Sequence, residues 1–279
     1  MGRPAKVVMM IGALLVVAIV STDRSTYPDA LWHADADRDV DLGDRTRFFG
    51  KHVASERWDQ LTIVDDPTGR FGRVYQAGLS PEDLEAGDDR AELVGARLGE
   101  GEAELWLGVD DTSKGSTRDV WIGWRSLFGR DVVVDEDHPN DGNYMQLKGD
   151  SDCGGPTIGL TIKSGRLTLR SERYLDVTDG VAWEGPPMTE LLDGSWHAFV
   201  LHVRFANDGN GELEVLLDGR RQVMTNGRTR IRFPTMCPAD RYVRPKFGVY
   251  SMDEGIGTGP RHWIESPRIG TSYLAVVPR

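Results

Sequence analysis

The stretch from Trp196 to Leu217 constrains the fold more than any other part of the sequence. Side chains of a β-strand point alternately to its two faces. One set of alternate positions is mostly apolar and comprises His197, Phe199, Leu201, Val203 and Phe205. The other set is mixed and comprises Trp196, Ala198, Val200, His202 and Arg204. The turn at 207–211 leads to a second run at 212–217, and Asp218-Gly219 is a strong hairpin signal. This pattern predicts an antiparallel meander with one face on a core.

Similar short runs recur along the chain, and helical periodicity is nearly absent after residue 22. They predict further strands near 103–110, 119–125, 143–149, 157–163, 166–171, 244–251 and 261–269, with Ser164-Gly165 joining two of them as a hairpin. The segment 126–142 is predicted to be a long polar loop, and the charge-rich segment 81–92 is predicted to be a loop that enters the strand carrying RAEL at 90–93. A β-sandwich of this length is commonly one unit, so residues 29–279 are predicted to form a single all-β domain.

The N-terminus combines Arg3 and Lys6 with an apolar run over 7–20 that is short for a bilayer span. We therefore expect a signal peptide or an N-terminal membrane anchor over 1–22, followed by a short linker over 23–28. The protein is expected to be secreted or anchored at the membrane on the extracellular side. In an oxidising compartment Cys153 and Cys237 could form a disulfide, and two separate buried thiols are the alternative.

The chain is acidic, with 33 Lys and Arg against 44 Asp and Glu and a formal net charge of −11. Residues 1–22 contribute two bases and no acid, so the remainder has 31 bases against 44 acids, or −13. Nucleic acid is therefore not an expected partner. An anionic ligand remains compatible with this charge if local cations surround it, because charges act over about 10 Å at 0.1 M salt.

Three separated segments offer such cations: RAEL at 90–93, MQLK at 145–148 and KFGVY at 246–250. In each, alternation places apolar side chains on one face and polar side chains on the other. The polar positions are Arg90, Glu92, Gln146, Lys148, Lys246 and Tyr250, and Gly248 leaves a gap between the last two. A solvated strand face explains each segment taken alone. A fold that joins all three would create a groove for an acidic sugar.

These side-chain types suit β-elimination at a uronic acid. Amide and cationic donors neutralise the carboxylate beside C5 and stabilise the charge that develops when the C5 proton is removed. A base must take that proton, and neighbouring cations favour the phenolate form of a tyrosine. Tyr250 is the candidate for the base and for the acid that protonates the leaving O4.

The order and spacing of the three segments resemble the signature of the jelly-roll polysaccharide lyases, which include the alginate lyases and heparin lyase I. The resemblance implies a concanavalin-like β-jelly-roll sandwich of two antiparallel sheets with a concave substrate groove. It also implies a carboxylate contact for Arg90, a neutralising role for Gln146, and the cation and catalytic tyrosine for Lys246 and Tyr250. Lys148 stands where the family has a histidine, which favours Tyr250 as both base and acid, or an altered activity.

The resemblance extends to the strand and Gly-rich turn over 196–219, where His202 and Arg204 share a polar face. His202 is the first candidate to replace the missing histidine, although a structural partner on a neighbouring strand explains it as well. Glu92, His202, Arg204 and Arg244 are the predicted substrate contacts. The predicted partner is an acidic polysaccharide, the protein is expected to be monomeric, and no organic cofactor is expected.

Two further functions remain open at this level. A non-catalytic carbohydrate-binding sandwich would keep the cationic groove without a catalytic tyrosine. A sandwich-fold glycoside hydrolase would use Glu102 or Glu104 from the alternating series Glu100, Glu102 and Glu104, which a solvated strand edge also explains. The acidic loop over 135–141 leaves open a structural Ca²⁺ ion, although it lacks the EF-hand pattern.

Overall fold

Two antiparallel sheets pack face to face in the computed structural model. The structure describes residues 30–34, 36–37, 51–53, 60–80, 90–94, 118–130, 142–149, 155–171, 180–240, 243–250 and 261–278. The predicted signal or anchor segment, the linker at 23–28 and the strand predicted near 103–110 lie outside these residues. In the described part, no helix is long and apolar enough to cross a membrane.

In the described residues the chain consists of strands, with one short helix among them and a second after the last strand. In chain order they are β1 (Ala30–His33), β2 (Lys51–Val53), β3 (Leu61–Asp65), β4 (Arg73–Gly78), β5 (Arg90–Val94), β6 (Arg118–Phe128), β7 (Asn143–Gly149), β8 (Ile158–Lys163), β9 (Arg166–Arg170), β10 (Val181–Pro187), β11 (His197–Phe205), β12 (Glu212–Leu217), β13 (Arg220–Arg221), β14 (Ile231–Arg232), β15 (Val243–Tyr250) and β16 (Arg261–Gly270). The helices are α1 (Met188–Leu191) and α2 (Tyr273–Val276).

The strand order separates the two sheets clearly. The nine-stranded sheet has the order β13-β12-β11-β6-β16-β4-β3, with β1 beside β16 and β14 beside β12. The seven-stranded sheet has the order β10-β9-β8-β7-β15-β5-β2. Neighbouring strands pair antiparallel in both sheets, as the sequence predicted.

The meander predicted over 196–221 is present as β11, β12 and β13. Phe199, Leu201 and Val203 are fully buried in the core between the sheets, whereas His202 lies on the outer face of its sheet. Asp218 and Gly219 both have positive φ, at 50° and 74°, as a two-residue hairpin of the primed type requires. Ser164 and Gly165 form the second predicted hairpin in the same way.

Aromatic side chains join the two sheets at the centre of the core. Trp124 of β6 stacks on Phe199 of β11, with ring centroids 5.2 Å apart, and meets Phe247 of β15 edge-on at 5.4 Å. Since Phe247 belongs to the seven-stranded sheet, this contact fixes the strand that carries Lys246 and Tyr250 against the opposite sheet. Cys237 is buried and disulfide-bonded. The second cysteine of the sequence, Cys153, lies outside the described residues.

Candidate functional site

The three segments that carry the predicted site are neighbouring strands of the seven-stranded sheet, in the order β7-β15-β5. Across β15 and β7, Lys246 pairs with Gln146 and Arg244 pairs with Lys148. Across β15 and β5, Tyr250 pairs with Arg90. Directly paired residues of an antiparallel sheet lie on the same face. The register therefore brings the five predicted catalytic positions, together with Arg244, to one part of one sheet.

The opposite face of these strands is apolar and forms part of the core. Its members are all buried: Ala91, Met145, Leu147, Phe247 and Val249. This arrangement follows from the alternation in the sequence, because a strand that buries its apolar side chains must turn the intervening polar ones outward. The polar positions therefore belong to the face that points away from the core, and on that face Glu92 and Gln146 are themselves buried.

A buried carboxylate organises two of the predicted donors. Glu92 is only 2% exposed, and it accepts a hydrogen bond from the Gln146 amide. It also pairs with Lys246, whose Nζ lies 3.3 Å from Glu92 Oε2. A buried charge needs such partners, and they in turn lose rotational freedom. Glu92 therefore holds Gln146 and Lys246 in place from below, a role that the sequence did not predict for it.

Two further cations lie beside this network. Lys148 and Arg244 are direct partners across β7 and β15, and both are partly exposed. The Lys148 ammonium donates to the Gly155 carbonyl at 3.4 Å. Like charges directly opposite each other in a sheet are destabilising. Their pairing here concentrates positive charge next to Lys246, in a chain whose overall charge is negative.

Gly248 has a different function from the one that the sequence indicated. It has φ of +155°, and a Cβ atom at this position would collide with the Ala91 carbonyl and with Cα of Glu92. The gap beside Gly248 is therefore filled by the backbone of β5 and is not open to a ligand. The missing side chain lets β15 approach β5 closely, which sets the position of Glu92 relative to Lys246.

His262 of β16 supports Gly248 from the core. The imidazole is fully buried, and its Nδ1 lies 3.0 Å from the Gly248 carbonyl, so Nδ1 carries the proton and donates. Its Nε2 lies 2.8 Å from Ser126 Oγ and accepts a hydrogen bond from that hydroxyl. Ser126 in turn accepts from Trp124 Nε1 at 2.9 Å. This chain of hydrogen bonds connects the nine-stranded sheet to the part of β15 that lies between Lys246 and Tyr250.

The burial of His262 predicts a pH-dependent stability. Burial lowers the pKa of His262 from 6.5 to about 4, although the Gly248 carbonyl opposes this shift. The folded state keeps the imidazole neutral. The contribution of His262 to the free energy of unfolding is therefore complete above pH 6.5, falls as the pH drops towards 4, and then levels off. The shift corresponds to about 3 kcal/mol of unfolding free energy.

Urea unfolding between pH 4 and 7 measures this effect. The variant His262→Gln keeps an amide donor and an oxygen acceptor but does not titrate in this range. The stability advantage of the wild type over this variant should therefore shrink by about 3 kcal/mol from pH 7 to pH 4. If the free energies of unfolding of the two proteins changed equally with pH, His262 would not be held neutral in the folded state.

The remaining predicted residues divide between the two sheets. Tyr250 is partly exposed at the end of β15, and Arg90 occupies the paired position on β5, although its side chain lies outside the described residues. His202 and Arg204 belong to the nine-stranded sheet instead. His202 stacks on Trp121 with centroids 4.3 Å apart, and its Nε2 lies 3.1 Å from Asp119 Oδ1. Arg204 also pairs with Asp119.

The expectation that His202 and Arg204 reach the same groove as Tyr250 is therefore wrong. The apolar positions of β11 face the core, and this places its polar positions on the far side of the sandwich. His202 is accordingly excluded as a replacement for the missing family histidine on β7. A period-two pattern identifies the faces of a strand but does not identify the sheet to which the strand belongs.

Asn143 is a site neighbour that the sequence did not indicate. It is buried and pairs with Tyr250 across β7 and β15. Strict alternation from Gln146 would place Tyr144 on the polar face, yet Tyr144 is buried in the core. The register shifts between Asn143 and Met145, as in a β-bulge, and this irregularity brings Asn143 to the polar face. Nothing in the local sequence reveals it.

A separate cavity lies away from these strands. Its volume is about 680 Å³, and Arg166, Glu184, His197 and Arg220 are among its lining residues. None of the residues predicted to be catalytic lines it. Because it mixes carboxylates with guanidinium groups, it favours an acidic sugar less than the cation-rich face of β7 and β15 does.

The carboxylates that would serve a glycoside hydrolase or a Ca²⁺ ion lie outside the described residues. They are the series Glu100, Glu102 and Glu104 and the acidic loop at 135–141. In the part of the chain that is described, no three His, Cys, Asp or Glu side chains form a group that could hold a metal ion.

Comparisons with known proteins agree with the architecture. The family model described as Polysaccharide lyase matches residues 40–268. The crystal structure of an endo-β-1,4-glucuronan lyase from the fungus Trichoderma reesei aligns with 89% of this chain and 98% of that chain, with a TM-score of 0.60 and 15% identity. Alginate lyase A1-II′ aligns with 75% of this chain and 83% of that chain, with a TM-score of 0.43 and 14% identity.

At these identities the first likeness shows the fold alone, and the TM-score of the second is too low to add to it. A search of curated proteins finds no match to the sequence. The predicted jelly-roll sandwich of two antiparallel sheets is confirmed.

Proposed function

The chain belongs to the polysaccharide lyase family, and on this premise we propose that it cleaves a uronic-acid-containing polysaccharide by β-elimination on the outer face of β7, β15 and β5. One observation carries the proposal: Lys246 and Tyr250 lie on the polar face of one strand, and Gln146 pairs directly with Lys246. Family membership favours this function over the non-catalytic module and the glycoside hydrolase.

The proposed reaction begins with recognition of the uronate carboxylate. Gln146, Lys148, Lys246 and Arg90 neutralise that carboxylate, and Arg244 adds to the local positive charge. Neutralisation makes the C5 proton more acidic, because the charge formed when it leaves is delocalised into a carboxylate that no longer repels it. The donors must remain fixed while this charge develops, and the hydrogen bonds of Gln146 and Lys246 to Glu92 provide that rigidity.

Tyr250 then transfers the protons. As a phenolate it takes the C5 proton, the electron pair of that bond forms the C4=C5 double bond, and the C4–O4 bond breaks. The phenol gives its proton to O4 of the leaving chain, so the phenolate is restored and the reaction consumes no water. Tyr250 is partly exposed next to a cation-rich face, which supports both of these steps.

Glu92 serves this mechanism as a positioning residue. A buried carboxylate would repel the carboxylate of a substrate, so Glu92 is poorly suited to contact the uronate directly. Lys246 has three N–H donors and Gln146 has two, and Glu92 needs only one from each. Glu92 therefore orients the two side chains that are proposed to meet the uronate.

The assignment of Lys148 predicts an unusual pH profile for Lys148→His. As an electrostatic donor, Lys148 should contribute about 10²-fold to kcat/KM, so Lys148→Ala should lose that amount. The histidine variant should retain more activity at low pH, where imidazolium persists, and lose it above about pH 6.5. High salt should narrow the difference in kcat/KM between the wild type and Lys148→Ala.

Lys148→Gln is the matched control, since it offers N–H donors without charge at any pH and should stay slow throughout. Activity of Lys148→His that rises towards alkaline pH would mean that position 148 hosts a neutral base. The assignment of the base to Tyr250 alone would then be wrong.

A panel of acidic polymers tests the proposed substrate class. Glucuronan, alginate and glycosaminoglycans each present a carboxylate at C5 of a uronic acid, and elimination from any of them leaves a conjugated unsaturated uronate that absorbs in the ultraviolet. We expect absorbance to rise with at least one of these polymers and not with a neutral glucan. Absence of a rise with every uronate polymer would contradict the proposal.

A further inference from the structure

Four exposed arginines crowd one edge of the nine-stranded sheet, away from the candidate catalytic face. They are Arg221, Arg228, Arg230 and Arg232, and we call them the arginine patch. The Arg221 and Arg232 side chains are 57% and 73% exposed. The sequence shows only a basic stretch here, whereas the structure gathers it on β13, β14 and the connection between them.

Two buried carboxylates on β12 orient this patch. Glu214 has a fully buried side chain, and it pairs with Arg221 at 2.8 Å and with Arg230 at 3.0 Å. Glu212 pairs with Arg232 at 2.7 Å. A guanidinium group has five N–H donors, and Arg230 and Arg232 each use Nε–H to bond a carboxylate. The carboxylates therefore fix the arginines from below and leave their outer donors facing solvent.

The patch carries more positive charge than its supporting carboxylates cancel. Glu212 and Glu214 offset two of the four arginines, and no described residue forms an ion pair with Arg228. The nearby Asp218 carboxylate accepts a hydrogen bond from the Ala198 backbone and lies 3.0 Å from His197 Nδ1. A local excess of cations thus persists in a protein of net charge −11.

We propose that the arginine patch is a second, non-catalytic binding site for an acidic polysaccharide. Fixed guanidinium groups bind carboxylates through paired N–H donors, and a uronate polymer presents such carboxylates repeatedly along its length. The identity of the polymer rests on the proposed function, whereas the binding of a polyanion at the patch does not.

The location of the patch determines how it would act. It lies on the nine-stranded sheet, and the candidate catalytic residues lie on the other sheet. A short oligosaccharide bound at the catalytic face would not need the patch. A long polymer, or a second chain of a polymer network, would bind at both places and keep the enzyme at high effective concentration near its substrate.

The overall charge favours a polysaccharide over nucleic acid at this patch. Duplex DNA carries about one negative charge per 1.7 Å, so it would meet strong repulsion from the rest of an acidic protein. A uronate polymer carries one carboxylate per uronic acid residue and can satisfy the patch with less repulsion.

The test compares two single variants with the same change in charge. Arg228→Gln removes the patch arginine that supports no buried carboxylate, so folding should be preserved. Arg130→Gln removes an exposed arginine elsewhere. Native gels cast with polyglucuronate, with duplex DNA or with neutral dextran measure retention of each protein. Turnover of a uronate tetrasaccharide and of the long polymer is measured in parallel.

We expect the patch variant to lose about two- to fivefold in apparent affinity for polyglucuronate, the scale for one surface ion pair. The control variant should match the wild type, and both should turn over the tetrasaccharide normally. Equal retention of the two variants, whether unchanged or equally reduced, would overturn the proposal. Stronger patch-dependent retention by DNA than by polyglucuronate would overturn its assignment to a polysaccharide.

These results separate the patch from the proposed reaction. Patch-dependent retention, combined with no unsaturated product from any uronate polymer of the panel, would disprove the β-elimination and leave the binding site standing. Normal elimination without patch-dependent retention would disprove the second binding site and leave the proposed reaction standing.

Discussion

Tyr250→Phe should reduce elimination by about 10² to 10⁴-fold, the usual contribution of general acid–base catalysis. The change deletes one hydroxyl from a partly exposed side chain at the end of β15, so the protein should fold normally and still bind the polymer. The loss should appear in kcat, because the hydroxyl acts on the proton in the transition state and contributes little to ground-state binding. Steady-state kinetics on the long polymer measures it.

Tyr273→Phe is the matched control. Tyr273 is also partly exposed, but it lies in α2 and packs edge-on against Trp121, outside the seven-stranded sheet. This variant should keep nearly full activity. If a well-folded Tyr250→Phe protein retained most of its turnover, another group would have to be the base, and the assignment of Tyr250 would fail.

Lys246→Met should destabilise the folded protein by about 3 to 5 kcal/mol, the usual cost of removing one partner of a buried ion pair. Glu92 would remain buried with the Gln146 amide but would lose the Lys246 ammonium. The Lys246 side chain is itself only 12% exposed, so solvent cannot readily replace it. Urea unfolding at neutral pH measures the loss, and Lys163→Met, at the end of β8 beside its hairpin, provides the control.

A second variant separates loss of the pair from loss of packing. Glu92→Gln combined with Lys246→Met removes both charges, so the double variant should recover much of the stability lost in Lys246→Met. A loss below about 1 kcal/mol in Lys246→Met, or no recovery in the double variant, would show that Glu92 does not depend on Lys246. The positioning role of Glu92 would then need another explanation.

The sequence predicted the strands and their faces well wherever the alternation was regular. The meander from Trp196 to Arg221, the hairpin at Ser164-Gly165 and the apolar face of β15 are all present. Burial of alternate side chains is a local property, so a local pattern can reveal it. The strand β10 was not predicted, because Gly185, Pro186 and Pro187 at its end are typical of a turn.

Long-range pairing was accessible only through the resemblance to known lyases. Alternation identifies polar faces on β5, β7 and β15 but cannot place these strands side by side, because segments so far apart in sequence can pair in many orders. The same limit explains the error at His202, whose strand has the expected faces but belongs to the other sheet. The close approach at Gly248 and the bulge before Met145 depend on tertiary contacts and leave no local signal.

The central claim is that cleavage is an elimination. Two properties of the product test it most directly: whether a new C=C bond is present, and whether oxygen from water has been incorporated. Wild-type enzyme is incubated with a uronate polymer in water enriched in heavy oxygen, and the fragments are analysed by mass spectrometry and ultraviolet absorbance. Elimination predicts fragments whose new non-reducing end is an absorbing unsaturated uronate, with no solvent oxygen incorporated during cleavage. Non-absorbing fragments that each gain one heavy oxygen at the cleaved bond would show hydrolysis and contradict the account.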